Sequence, residues 1–215
     1  DGGGDRGVPS VEVLARRGDL AEDKREALLH DLVGQLEELS SLVTNLVELA
    51  SEPPELEPTE IQLDELTQEA VTRAQRLAPQ VAFRANLEES VVCGVPGRLE
   101  RAIANLLDNA VKWSPDGGQI DVGVARGEVT VRDHGPGIDE QDLPYVFDRF
   151  YRAASARPMP GSGLGLAIVR QVAEEHRGSV TIERPDGGGT LVRLELPEVE
   201  TPLDGPPAAA AADPP

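Results

Sequence analysis

The sequence predicts an α+β layer fold for about Leu56 to Glu198, and three observations carry that expectation. Helical and hairpin-strand patterns come in mixed order rather than as a regular alternation. Pro96 to Lys112 is a strongly amphipathic helix with Pro in its first turn. Ile120 to Ala125 and Glu128 to Arg132 alternate apolar and polar residues about an Arg126-Gly127 turn, the pattern of a hairpin. At 215 residues the chain has room for one ordinary domain with an appendage, or for two small domains.

Taken in order, residues 1–9 are Gly-rich and expected to be disordered. Residues 10–51 read as helical. Ser10 to Arg17 could be the last turns of one helix, ended by Gly18, and a second runs from about Glu22 to Ser51. In it Leu32, Leu36, Leu39, Val43, Leu46 and Ala50 are spaced 4, 3, 4, 3, 4, which is a heptad seam. Such a seam needs a partner: either a globular core beneath one amphipathic helix, or a helical hairpin that dimerises into a bundle. Pro53, Pro54 and Pro58 end this helix, making residues 52–60 a linker. The domain proper is expected at 61–198. Leu63 to Leu77 reads as a helix with Asp64 able to cap its start. Val81 to Leu87 and Ser90 to Cys93 read as strands. After the amphipathic helix and the hairpin comes an irregular stretch from Asp139 to Pro160. Gly163 to His176 reads as a helix, and Ser179 to Glu183 and Thr190 to Leu196 as closing strands. Residues 199–215, rich in Pro, Ala and Gly, are expected to form a disordered tail.

Composition narrows the partners. Thirty-nine acidic against twenty basic residues give a net charge of −19, which argues against nucleic acid and anionic lipid. The single Cys93 excludes an intramolecular disulfide and a Cys-rich zinc site. No apolar run reaches the length of a membrane span, and no secretory signal pattern opens the chain. A start at Asp1 is what a fragment or processed product would show, with membrane segments cut away. Lysine occurs only at 24 and 112 and asparagine only at 45, 86, 105 and 109. Against that scarcity, the cluster Asn105, Asn109 and Lys112 stands out.

On a helical wheel Asn109 and Lys112 fall within about 40° of Asn105, while Leu99, Ile103, Leu106, Leu107 and Ala110 face the opposite way. Taken alone this is a solvated polar face. The sharper reading is a site for metal and phosphate, with amide oxygens for a hard cation and Lys for phosphate charge. Asp133-His134-Gly135-Pro136-Gly137 follows a strand and offers a carboxylate for an exocyclic amine, with backbone that can approach a ligand closely. Gly161-Ser162-Gly163-Leu164-Gly165 opens a helix, whose free N–H groups favour phosphate. It is neither a Walker A loop nor a dinucleotide fingerprint, since Leu166 stands where the third Gly would fall.

In this order and spacing, Asn105 to Lys112, Asp133 to Gly137 and Gly161 to Gly165 resemble the N, G1 and G2 boxes of sensor histidine kinases. Tyr145-Val-Phe-Asp-Arg149-Phe150-Tyr-Arg152 is similar to their F box, and Gly187-Gly-Gly189-Thr190 to their last glycine box. The resemblance covers about Ile61 to Pro197, and the heptad helix resembles the second helix of the family's dimerisation hairpin.

The resemblance implies the Bergerat fold, a two-layer α/β sandwich, here preceded by a remnant of a helical hairpin. It implies ATP and Mg²⁺ as ligands. Asn109 would coordinate Mg²⁺ with Asn105 beside it, and Lys112 would neutralise phosphate. Trp113, where the family usually has Tyr, would cover the nucleotide. Asp133 would accept the adenine amine in a pocket shaped by Gly135 and Gly137, with Thr190 nearby. Arg149 would meet the terminal phosphate from a lid, with Phe150 packing beside it. Gly161, Gly163 and Gly165 would hinge that lid and aim the next helix at the phosphates, with Leu164 among the residues that bind the nucleotide. The implied reaction moves the γ-phosphoryl of ATP to a histidine and on to an aspartate of a response regulator. The implied setting is a homodimer, joined through the hairpin, forming the cytoplasmic part of an inner-membrane sensor kinase.

Two departures qualify this. Val95 replaces the Asp that often precedes Pro96. More seriously, the phosphoacceptor box is absent: Gly4-Asp5-Arg6-Gly7-Val8-Pro9 carries no His, and His30, His134 and His176 all read as structural or surface side chains. The chain is therefore expected to present MgATP without phosphorylating itself. Two other classes remain open. One is an ATP-binding regulator or trans-acting kinase half of the same superfamily. The other is a gyrase- or chaperone-type ATPase, whose members carry a water-activating Glu where this chain has Asn105.

Overall fold

A computed structural model describes residues 57–153 and 161–199. The helical-hairpin and heptad-seam expectations, the leader and most of the tail lie outside the described residues. One compact unit holds 57–153 and 163–199, while Gly161 and Ser162 belong to a second unit.

The elements run β1 (Thr59–Gln62), α1 (Leu63–Leu77), β2 (Ala82–Leu87), β3 (Val91–Gly94), α2 (Pro96–Trp113), β4 (Gln119–Ala125), β5 (Glu128–Asp133), a 3₁₀ turn (Leu143–Tyr145), α3 (Gly165–Glu175), β6 (Ser179–Glu183) and β7 (Leu191–Glu195). Five strands form a mixed sheet in the order β2-β4-β5-β7-β6, parallel between β2 and β4 and antiparallel elsewhere. β1 and β3 form a separate antiparallel pair, which Glu198 extends by a bridge to Val92. Strand alternation decides the layers. Ile120, Val122 and Val124 of β4, Val129 and Val131 of β5, and Val192 and Leu194 of β7 are buried beneath the helices. Residues between them, such as Asp121, Thr130 and Arg193, lie half-exposed on the other face. The result is the two-layer sandwich expected.

Each helix forms because its apolar stripe has this sheet to cover. α2 buries Leu99, Ala102, Ile103, Leu106, Leu107 and Ala110. The four large side chains among them are each worth about 1.5–3 kcal/mol of removed apolar surface. Pro96 sits at its first turn, where the missing N–H costs nothing, and Ser114-Pro115 ends it. α1 packs on α2, and α2 on α3.

Two local expectations change. Thr59 and Glu60, read as linker, already pair with Gly94 and Cys93 in β1. Asp64 does not cap α1: Gln62 occupies the cap without a side-chain bond, and Asp64 Oδ1 instead accepts the Ser90 N–H at 3.4 Å. Ser90 is a buried junction, whose hydroxyl takes the Gly127 N–H (2.8 Å) and donates to Glu198 (3.1 Å).

His176 joins α3 to α2. Its Nε2 accepts the Val95 N–H at 3.0 Å, so the ring proton is on Nδ1, which donates to the Val172 carbonyl at 2.7 Å. Both nitrogens are committed, and a side chain at Gly94 would collide with the ring. His176→Leu leaves the Val95 N–H without a partner, and chemical denaturation is expected to show a loss of about 1–3 kcal/mol. A loss below a few tenths would mean that water replaces the imidazole.

Candidate functional site

Three segments far apart in sequence meet where α2, the end of β5 and the start of α3 converge. The β5–β7 register pairs Arg132 with Leu191, which sets Asp133 opposite Thr190. Their backbones bond, Asp133 N–H to Thr190 carbonyl at 3.0 Å. Asp133 Oδ1 accepts the Gly135 N–H (2.8 Å) and the Thr190 N–H (3.2 Å). Both residues are buried, Asp133 at 3% exposure. Burial pushes the Asp133 carboxyl above its usual range, against the opposing pull of the Gly135 and Thr190 hydrogen bonds and the His134 charge.

Gly135 lies so close under α2 that a Cβ would fall 2.2 Å from the Trp113 carbonyl oxygen. Gly137 (φ +78°) backs onto the Gly189 carbonyl. Gly189, which the sequence marked only as part of the last glycine box and gave no role of its own, is the tightest of the set: a Cβ there would fall 2.0 Å from the Asp133 carbonyl oxygen. Its run of three glycines was the available signal.

On α2, Asn105, Asn109 and Lys112 share one half-buried stripe beside the buried face, as the wheel predicts. Asn105 Nδ2 donates to the Arg101 carbonyl at 3.0 Å, which leaves Oδ1 toward Gly165 at the start of α3. The Asn109 amide has no hydrogen-bond partner among the described residues. The Lys112 ammonium lies 5.9 Å from the Trp113 ring centroid. No side chain caps α3: its N-cap, Leu164, is buried and in helical conformation. The first-turn N–H groups of such a helix have no partner within it and suit an anion. Asn105 thus faces the uncapped start of α3, with the Asn109 amide and the Lys112 cation along the same stripe of α2, a donor set suited to a hard cation and phosphate oxygens.

Gly163 (φ +73°) lies against the backbone of Phe150 and Tyr151, and its carbonyl takes the Phe150 N–H at 3.0 Å. The side chain of Arg152, the last residue of the F-box match, packs close by, 3.1 Å from where a Cβ on Gly163 would be. Arg149 is exposed and reaches Gln171 of α3 at 3.4 Å. Phe150 is 58% exposed with φ +65°, a left-handed backbone unusual for an aromatic residue. Gly161 has φ +138° and belongs to the second unit.

The profile of the histidine kinase-, DNA gyrase B- and HSP90-like ATPases matches residues 94–200. A signal transduction histidine-protein kinase/phosphatase MprB of Mycolicibacterium vanbaalenii is 39% identical over 200 residues, covering 90% of this chain and 41% of that protein. The chain thus spans less than half the length of the curated relatives it matches. Among solved structures, a mycobacterial sensor histidine kinase MprB is similar at 36% identity and TM-score 0.60, over 66% of this chain and 97% of that one. The ATP binding domain of PrrB from Mycobacterium tuberculosis is similar at 27% identity and TM-score 0.54, over 67% of this chain and 99% of that one.

Proposed function

The chain belongs to the sensor histidine kinases, within the histidine kinase-, gyrase B- and HSP90-like ATPases, and from that premise we propose that it holds MgATP and offers the γ-phosphoryl to a histidine outside itself. The observation that carries this is the buried Asp133–Thr190 pair standing beside the Asn105, Asn109 and Lys112 stripe of α2 and the uncapped start of α3. Asp133 accepts the adenine amine, with Thr190 beside it and the backbone of Gly135 and Gly137 shaping the pocket. Trp113 covers the base. Asn109 holds Mg²⁺ with Asn105 at its side, Lys112 meets phosphate, and the N–H groups from Leu164 and Gly165 onward complete the anion site. Arg149 reaches the terminal phosphate, and Gly161 and Gly163 let its segment move. When bound, Mg²⁺ supplies charge neutralisation across the phosphates. The residues named supply position, which is most of what phosphoryl transfer needs.

In the full protein we assign the acceptor histidine and a dimerising hairpin to the helical part, a response-regulator aspartate as the onward acceptor, and a membrane anchor for the whole. No helix among the described residues is long and apolar enough to cross a membrane.

Trp113 is the sole tryptophan, so its fluorescence reports on the site directly. MgATP is expected to change it saturably. Asn109→Ala is expected to weaken the Mg²⁺-dependent part of the affinity by about tenfold to a hundredfold or more. Incubated alone with γ-labelled ATP, the chain is expected to take up no acid-labile, base-stable label, and such label would sink the claim of an external acceptor. A hydrolytic reading is disfavoured because Asn105 is a poor general base. Rapid ATP hydrolysis abolished by Asn105→Ala would reverse that ranking.

A further inference from the structure

The segment that carries Asp133 is also gripped from the face of the sheet turned away from the helices. In the β4–β5 register Ile120 pairs with Asp133 on the inner face, so Asp121 and Arg132, one step along each strand, are cross-strand partners on the outer face. Opposite charges in such a pair ordinarily meet. Here they do not. Asp121 Oδ2 lies 2.8 Å from Nε2 of His134, the residue immediately after Asp133, and Asp121 Oδ1 accepts Gln119 Nε2 at 2.5 Å. Arg132 turns aside to the Asp186 carbonyl at 3.4 Å, beside the last glycine run.

His134 is therefore fixed twice: its ring by Asp121, and its Cα by close packing against Gly189, where a Cβ would fall 3.0 Å away. Asp133 directly precedes this anchor, and Gly135 directly follows it, itself pressed against the Trp113 carbonyl. The His134 and Asp121 side chains are 39% and 35% exposed, so their pair adds little to overall stability. An arrangement that costs the fold little to lose, yet fixes the neighbour of the base-reading carboxylate, acts on geometry more than on stability.

We infer that Gln119, Asp121 and His134 form a positioning chain that sets the Asp133 carboxylate for an exocyclic amine, so that they tune base recognition without touching the nucleotide. This rests on the reading of Asp133 as the base acceptor. All three are positioning residues.

The test titrates the chain with MgATP and with the Mg²⁺ complex of purine riboside triphosphate, which has the same phosphates and no exocyclic amine, following Trp113 fluorescence. Asp121→Ala and His134→Ala are expected to weaken ATP by about threefold to fivefold while leaving the amine-free nucleotide and the melting temperature unchanged. Asp121→Asn keeps an acceptor for the imidazole N–H and is expected to restore the preference for ATP. An unaltered preference in the alanine variants overturns the inference. So does equal weakening of both nucleotides with a lower melting temperature, or failure of Asp121→Asn to rescue. If the unmodified chain itself shows no preference for ATP, the reading of Asp133 falls instead.

Discussion

Asp133→Asn is expected to weaken ATP by about tenfold to a hundredfold, the worth of one hydrogen bond to a charged group, while leaving GTP nearly unchanged. The same substitution is expected to leave the unliganded protein as stable as before, or more so. The reason lies in the balance at this carboxyl. Burial raises its pKa despite hydrogen bonds from Gly135 and Thr190, so at neutral pH the ionised form is a net cost to folding. An Asn oxygen can still accept both N–H groups without carrying a charge into the interior. The sign for pH follows. Between the ordinary carboxyl pKa and the raised folded value, the folded chain holds a proton that the unfolded chain releases. The Asp133 contribution to stability therefore falls as pH rises through that window, and the advantage of Asn vanishes toward acid. ATP affinity runs the other way, falling as Asp133 gains its proton. Melting curves and ATP titrations across that range check both. A markedly lower melting temperature in Asp133→Asn at neutral pH would make the carboxylate structural, and unchanged ATP affinity would remove it from the site.

Sequence periodicity found the helices because each covers the sheet with one continuous stripe: α1 begins at Leu63 and α2 at Pro96, as expected. It marked the candidate site because Asn and Lys are scarce elsewhere and glycines mark close backbone approaches. What stayed hidden depends on contacts between residues distant in the chain. β1 is four residues long, follows a proline-rich stretch in the sequence, and exists by pairing with β3. The diversion of Asp64 from a cap to the Ser90 N–H requires knowing that β3 starts beside α1. The pairing of Asp121 with His134 requires the strand register. Left-handed backbone at Arg126, Phe150 and Arg177 carries no glycine to announce it.

Gly189→Ala is expected to be the most damaging single methyl in the domain, and Gly188→Ala the control that shows why. Both residues have left-handed backbone, φ +83° and +88°, so each alanine carries a similar conformational penalty of about 1–2 kcal/mol. Their surroundings differ. A Cβ at Gly188 meets nothing within 4 Å, whereas at Gly189 it falls 2.0 Å from the Asp133 carbonyl oxygen, 2.9 Å from its carbon and 3.0 Å from the His134 Cα. All three are backbone atoms, so no side chain can swing aside, and β5 or the glycine run must move. Gly189→Ala is therefore expected to cost about 3 kcal/mol or more in denaturant unfolding, the range of overpacking added to backbone strain. Because the atoms displaced belong to Asp133 and its neighbour, ATP affinity falls with it. Gly188→Ala loses only the conformational part and keeps near-normal ATP binding. Equal losses in the two variants would show that backbone conformation alone sets the requirement for glycine here, and that the contact between the last glycine run and Asp133 is slack.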